Sequence, residues 1–526
     1  MEALSLQLIA QWAKNFAVGD DDVDFVVNLL LEKETPLTIR EISRILVEQR
    51  LLEEAAALEE QYKDALIYNP AESYDVGQKL IFPALSFEQA TVQAVRAGDN
   101  PEYGDFSVIQ VTFSDGQQRE FAAALTQPHK LNDEAASGVV ALAGNDFSAD
   151  DILQYADEDI IDIVEEALEA NDTLIRLSKH WFPRDLMLDV DEGQLNLAEA
   201  VLELSEGEPL ETPDIVKQIG GISSNSPLDL QVFSLNGAMN NDGRFDEVGP
   251  MGKVLWYLVR NEPQAVQQVP PMLHYHAIDF DPSVVSGEAL DLVQEIADEL
   301  SDLPVQRGVT EGSLTLIYPH RRVGTLPLNG NIRALFPYAQ RTSKIYITLV
   351  DAADGEEFIG WVVPGARYIY GLLPLYTKHA IPIGAYVHVQ QADTPDRVVI
   401  RFDTHRARTE WLPIFIPKGD QITFENTRRA IGADFDPLLI LGIDDLQAVD
   451  DLVDTWNGQR RTLVALLRAI IPELCRLTPQ ATAHAKTIYS AVNVVRRCPP
   501  GVILAMLRTN PDFVDVGGNY WQLADN

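Results

Sequence analysis

Arg244-Phe245-Asp246-Glu247-Val248-Gly249 leads to Trp256 and Leu258, and the same order returns as Asp512-Phe513-Val514-Asp515-Val516-Gly517 leading to Trp521 and Leu523. Each stretch follows an apolar helical pattern that ends in turn formers, Asn241-Asp242-Gly243 in one and Asn510-Pro511 in the other. The reading is helices followed by a two-stranded hairpin, with Phe and Trp anchoring the hairpin and Gly permitting its turn. A second echo lies upstream of the helices. Pro36-Leu37-Thr38-Ile39-Arg40-Glu41-Ile42 returns as Pro209-Leu210-Glu211-Thr212-Pro213-Asp214-Ile215, with a Thr ahead of a short helix each time. Thr38 and Glu41 have capping-box spacing, and Pro213 sits at a first helical position, where its missing N–H costs nothing.

Outward from these repeats the hydrophobic period changes several times. Leu29, Leu30, Leu31, Ile39, Ile42, Ile45, Leu46 and Leu51 recur at helical steps within 22–62. Ile109, Val111 and Phe113 alternate as in a strand, and Ser114-Asp115-Gly116 marks a turn, which predicts a small antiparallel barrel within 76–125. Residues 131–185 are acidic and helical, with Arg176, Lys179 and Arg184 as their basic side chains, and read as a solvated linker or a docking site for a basic partner. A strand is predicted from Tyr275 to Phe280 and an amphipathic helix from Gly287 to Leu303. Strand signals then dominate 331–416, with one short helix from Leu373 to His379.

The 526 residues carry a formal charge of −40. A uniformly acidic surface repels nucleic acid and anionic membrane. The charge is uneven, however: residues 1–330 hold −39 of it and residues 331–526 hold −1. Residues 457–511 place eight basic side chains against Glu473 alone. Such asymmetry points to a nucleic-acid-related role for the back of the chain. Two cysteines, Cys475 and Cys498, fit a reducing cytoplasm, and neither a signal peptide nor a membrane span is expected.

The repeated pattern, over about 195–259 and 461–524 with a partial copy at 24–62 that lacks a visible wing, resembles the HARE-HTH winged-helix family. That family occurs in the delta subunit of bacterial RNA polymerase, in some restriction enzymes and in chromatin proteins. The resemblance implies a transcription- or DNA-related role and no enzyme. In the last copy, Arg460, Arg461, Lys486, Arg496, Arg497 and Arg508 are the candidate nucleic-acid contacts. Its third helix, about Val502 to Thr509, offers few polar side chains, so phosphate contact or protein docking is expected there rather than base reading.

The 331–416 stretch resembles the plant-type pseudobarrel DNA-binding domain, on the strands Ile345 to Val350 and Phe358 to Val363, then Arg367, Tyr370-Gly371-Leu372, a short helix and Ile383-Gly384. Where that family has Gly-Asp, this chain has Gly384-Ala385. Its candidate contacts are Arg333, Arg341, Lys344, Arg367, Arg397, Arg401, Arg406 and Arg408, with Tyr368, Tyr370 and Trp411 as stacking partners. The 76–125 stretch resembles Tudor- or KOW-like barrels at the level of architecture.

The expected organisation is a multi-domain α+β chain of repeated winged-helix domains interspersed with small antiparallel barrels and an acidic helical linker. Its segments are a helical, partial winged helix (1–75), a small barrel (76–127), the acidic linker (128–185), a winged helix (186–262), an α/β connector (263–330), a pseudobarrel-like domain (331–420), an acidic connector (421–455) and a C-terminal winged helix (456–526). His274-Tyr275-His276 with Asp279 and Asp281 is the best metal-like cluster, but no distant Cys/His set completes it, and neither a phosphate loop nor a nucleophile motif is present. No catalytic residue, metal or cofactor is therefore expected. The expected function is a non-enzymatic, cytoplasmic regulatory protein that contacts duplex DNA, RNA polymerase or both. One alternative is an interaction scaffold whose acidic front mimics nucleic acid or engages a basic protein. Another is a non-catalytic subunit of a DNA restriction or defence system.

Overall fold

The computed structural model describes residues 9–10, 12–62, 65–82, 85, 88–100, 104–126, 148–177, 179–339 and 342–524. The chain is a mixed α+β protein that divides into two compact units, Met1–Asp189 with Ser223–Ser234, and Val190–Ile222 with Leu235–Asn526.

The first unit begins with α1 (Asp20–Lys33), β1 (Leu37–Thr38) and α2 (Ile39–Tyr62). The start of α2 carries the expected capping pair: Glu41 accepts from the Thr38 backbone N–H at 2.8 Å, and the Glu41 N–H donates to the Thr38 hydroxyl at 3.3 Å. A five-stranded sheet follows, β2 (Ala65–Ile67), β3 (Lys79–Phe82), β4 (Glu88–Ala97), β5 (Ser107–Phe113) and β6 (Gln118–Ala123), in that spatial order. Strand β2 runs parallel to β3 and the rest are antiparallel, so the sheet starts earlier than the barrel expected at 76.

Then come α3 (Ala149–Glu169) and a hairpin, β7 (Leu174–Leu177) and β8 (His180–Pro183). Strand β1 pairs with β8, Leu37 opposite Trp181. The partial copy therefore has its hairpin after all, separated from its first two helices by the five-stranded sheet. The acidic stretch is no solvated linker either. Ile152, Leu153, Ile160, Val164 and Leu168 of α3 are buried with Leu30, Ile42 and Leu46 in one core, while the carboxylates occupy the outer face.

The second unit opens with α4 (Glu192–Leu204), β9 (Leu210–Glu211) and α5 (Thr212–Gln218). Helix α6 (Leu228–Asn240), across which the division between the units falls, leads to the hairpin β10 (Phe245–Glu247) and β11 (Leu255–Leu258). Near the C-terminus the same order recurs as α11 (Leu463–Cys475), β22 (Ala483–His484), α12 (Ala485–Val495), α13 (Pro500–Thr509), β23 (Phe513–Gly517) and β24 (Tyr520–Leu523). All three copies form a three-stranded antiparallel sheet with the last strand in the middle. In each, the buried Trp of that middle strand (Trp181, Trp256 or Trp521) faces the residue two positions ahead of the second helix (Leu37, Leu210 or Ala483). The repeated Gly has a different reason in each place: a Cβ on Gly249 would lie 1.9 Å from the Lys253 carbonyl oxygen, and Gly517 has φ +96°.

Between these copies lies α7 (Glu288–Ile296) and then a curled seven-stranded sheet. It comprises β12 (Glu311–Thr315), β13 (Thr325–Pro327), β14 (Ile345–Asp351), β15 (Glu357–Val363), β16 (Tyr368–Tyr370), β17 (Tyr386–Gln391) and β18 (Arg397–Phe402). Helix α8 (Tyr318–Val323) precedes β13 and α9 (Leu373–Lys378) follows β16. The spatial order is β12-β17-β18-β14-β15-β16-β13, so two strands come from the stretch expected to be a connector. The expected strand from Tyr275 to Phe280 is absent, and those residues have no regular structure.

A long antiparallel ribbon, β19 (Thr404–Lys418) and β20 (Gln421–Ala433), leaves the sheet and turns at Gly419-Asp420. Strand β21 (Gly442–Ile443) adds to it in parallel, and α10 (Leu446–Gly458) leads into the last copy. Towards the turn the ribbon buries Phe415, Ile422 and Phe424 in the C-terminal core, while 418–421 stay exposed. No helix among the described residues is long and apolar enough to cross a membrane.

Candidate nucleic-acid interface

A side chain that contacts phosphate must reach solvent and must not be committed to a carboxylate. The fourteen candidates divide sharply on these two requirements. Lys344 is held between Asp246 at 2.9 Å and Glu262 at 2.6 Å. Its carboxylate partners outweigh its burial and raise its pKa, while burial, together with Asp246, pushes the Glu262 carboxyl up to about 7. Arg397 pairs with Glu357, Arg401 with Asp403 and Arg461 with Asp420. Arg367 donates to the Glu299 carbonyl at 2.9 Å and lies 3.4 Å from Asp302. Arg496 and Arg508 donate to backbone carbonyls, of Arg461 in one case and of Val284 and Ser286 in the other. Arg341 lies outside the described residues.

Lys486 and Arg497, expected to contact phosphate, are instead buried. Lys486 is buried between Glu295 and Asp436. The Arg497 side chain is 0% exposed, with one nitrogen 2.6 Å from both Asp298 and Glu299, and so has no route to a phosphate. Glu299 in turn bonds His320 at 3.0 Å, and His320 reaches the Thr325 hydroxyl at 2.8 Å. Burial drives both carboxyls up. For Asp298 it prevails over Arg497, whereas Arg497 and His320 prevail at Glu299 and hold it low. These groups join the C-terminal copy to the seven-stranded sheet and act as a structural fastener.

Five candidates remain exposed with no carboxylate partner among the described residues: Arg333, Arg406, Arg408, Arg460 and Arg508, the last already bonded to two backbone carbonyls. Arg406 and Arg408 lie on β19. Directly across the ribbon, Arg428 on β20 faces Trp411, its guanidinium 4.8 Å from the indole ring. Trp411 is 61% exposed, and Arg428 is exposed without a carboxylate partner among the described residues. Arg429 beside it pairs with Asp444 at 2.6 Å. Alternation puts Arg408 and Arg429 on one face of the ribbon and Trp411 and Arg428 on the other. Both faces of its middle, 406–409 and 428–430, are exposed.

The sequence reading missed Arg428, which stands in a stretch taken for an acidic connector. The signal was available: Ile422, Phe424 and Ile431 pair off against Pro417, Phe415 and Arg408 around a Gly-Asp turn. Tyr368 is buried and Tyr370 half-buried, so neither offers an open stacking face.

The hairpins of the first two copies are covered. Ile175, Leu177 and Phe182 pack on Leu230 and Phe233, with the Phe182 and Phe233 rings 5.7 Å apart. Val248, Leu255 and Tyr257 pack on Tyr346 and Trp361 of the seven-stranded sheet, the Tyr257 ring 5.1 Å from Trp361. In the third copy α13 is buried against α7, while Val514, Val516 and Tyr520 of the hairpin are exposed. The His274 Nε2 lies 3.0 Å from the Val269 carbonyl oxygen, and among the described residues no group of three or more His, Cys, Asp or Glu is placed to hold a metal ion. No protein-family model matches the chain, and no match is found among curated proteins or solved structures.

Proposed function

We propose that the chain is a non-enzymatic regulatory protein that contacts duplex DNA through the middle of the β19–β20 ribbon. The observation that carries this reading is the ribbon itself: three guanidiniums without carboxylate partners among the described residues, Arg406, Arg408 and Arg428, beside an exposed Trp411, in a chain of net charge −40. A two-stranded ribbon fits the major groove, and arginines on both faces reach phosphates on either side. The shared helix–strand–helix–helix–hairpin order, with its equivalent Trp residues, supports reading the three repeats as winged-helix domains. In this proposal they serve mainly as frame, because two hairpins and the third helix of the last copy are covered. The curled sheet is read as a pseudobarrel that carries the ribbon. Two unpaired buried cysteines suit a cytoplasmic protein. The test is binding of the full chain to a labelled duplex at rising salt: a steep loss of affinity supports the reading, and no binding at low salt removes it.

A second reading is protein docking in transcription, with RNA polymerase or another basic protein on the acidic front. The exposed Val514, Val516 and Tyr520 of the third hairpin favour it, since the equivalent face is buried by protein in the other two copies. Nuclease-resistant binding to purified polymerase is its test.

A further inference from the structure

A cleft of about 480 Å³ lies beside the ribbon, within the ~300–1,000 Å³ range of small-molecule sites. Its walls are largely apolar: Ile383 from the loop before β17, Leu412 and Ile414 from β19, Ile431 from β20, Leu441, and Leu446 at the start of α10. Leu373 and Leu446 are exposed at its edge. Gly442 lets the wall close up, since a Cβ there would meet the Ile414 side chain at 2.3 Å.

One side is different in kind. Helix α8 presents Tyr318, Arg321 and Arg322, all lining the cleft. The Tyr318 hydroxyl and the Arg322 Nε are buried without an aligned hydrogen-bond partner. Burial pushes the Tyr318 phenol up to about 12, with the nearby Arg322 partly offsetting it. Arg322 reaches Asp450 only through its terminal nitrogen, at 3.3 Å. Arg321 is half-buried, donates through Nε to the Ile381 carbonyl at 2.6 Å, rests on the Tyr376 ring and has no carboxylate partner among the described residues. In a chain this acidic, a half-buried guanidinium left without a counter-anion is costly. The lining also holds the Asp444 carboxylate, but Arg429 engages it at 2.6 Å. The Arg321 guanidinium is left without an acceptor for its terminal nitrogens, and an anionic oxygen satisfies guanidinium best.

We propose that this cleft binds a small apolar carboxylic acid, its carboxylate taken by Arg321 on the α8 side and its apolar body lying along Ile383, Leu412, Ile414 and Ile431. Apolar walls with a few convergent polar groups are the usual make-up of such sites. The proposal is independent of the nucleic-acid reading.

The experiment is calorimetric titration of the full chain with decanoate, decanol and decyltrimethylammonium, probes of one length and three charges. Decanoate is expected to bind with Kd below about 1 mM and at least about tenfold tighter than the cation, against the sign of the protein's net charge. Arg321→Gln, which keeps a donor for the Ile381 carbonyl, is expected to weaken decanoate about tenfold and leave decanol unchanged. Leu446→Trp, which fills the cleft from its exposed edge, is expected to abolish both. Absence of decanoate binding, equal binding of the cation, an unchanged affinity in Arg321→Gln or an unchanged affinity in Leu446→Trp each overturns the proposal. Should Arg321→Gln fail to fold, the charge series on the wild type and the Leu446→Trp variant still decide it.

Discussion

Replacing Arg497 by Met removes the cation from a cluster that no solvent reaches. Two side-chain carboxylates 2.6 Å from the guanidinium, Asp298 at 0% and Glu299 at 5% exposure, are left facing each other with the Tyr489 hydroxyl and His320 as their remaining side-chain partners. Arg497 also donates to the Asn493 side chain at 2.9 Å. Breaking a buried pair from one side costs about 3–5 kcal/mol, a large part of the ~5–15 kcal/mol that holds a typical protein folded. Removing every charge is a different perturbation, because the desolvation penalty of the ions goes with them. Arg497→Met combined with Asp298→Asn and Glu299→Gln is therefore expected to recover most of the loss. Urea unfolding at pH 7, followed for the single, double and triple variants, gives the coupling directly. The single variant should also regain stability as pH falls. With the guanidinium gone, both carboxyls have folded pKa values above their unfolded ones, so the stability they withhold at neutral pH returns on protonation. A loss under about 1 kcal/mol in Arg497→Met, or a triple variant no more stable than the single one, refutes the fastener account.

Other consequences are simpler to measure. Glu262 has a folded pKa of about 7 against an ordinary 4.5, so its contribution to stability falls as pH rises between those values; Glu262→Gln should flatten that part of the difference profile in thermal melts across pH 4–8. Ile160→Ala on α3 should cost about 2–5 kcal/mol, because Ile160 is fully buried, whereas a solvated linker helix would lose almost nothing in the same denaturation assay. Trp411→Ala should leave the melting temperature unchanged and weaken nucleic-acid binding by about 1–3 kcal/mol in anisotropy titrations if the indole stacks on a base.

What the sequence revealed depended on whether the deciding partner was local. The hairpins ending in Trp256 and Trp521 were legible because each follows its helices directly. The first copy was only half visible: its Trp181 pairs with Leu37 across an inserted five-stranded sheet, and no local pattern ties those residues together. Helix α3 was misjudged because acidic composition hid the spacing of Ile152, Ala156, Ile160, Val164 and Leu168, which is that of a buried stripe. The same limit governs the site. Charge counting finds Arg497 and Arg406 equally basic. Only the fold reveals that Asp298 and Glu299, about 200 residues upstream, claim the first and that no carboxylate among the described residues claims the second. Arg428 was lost to a boundary drawn at the ribbon's turn, and the acidic residues beyond it in 434–454 concealed a strand that carries two exposed arginines.

The central claim rests on the ribbon, and its most direct test is the salt dependence of duplex binding by the full chain and by Arg406→Gln/Arg408→Gln/Arg428→Gln. Each phosphate contact contributes about 0.9 to the slope of log K against log salt, so the triple variant should lower the slope by about 2.7 and weaken low-salt binding while its melting temperature stays unchanged. Identical slopes for the two proteins would contradict the account.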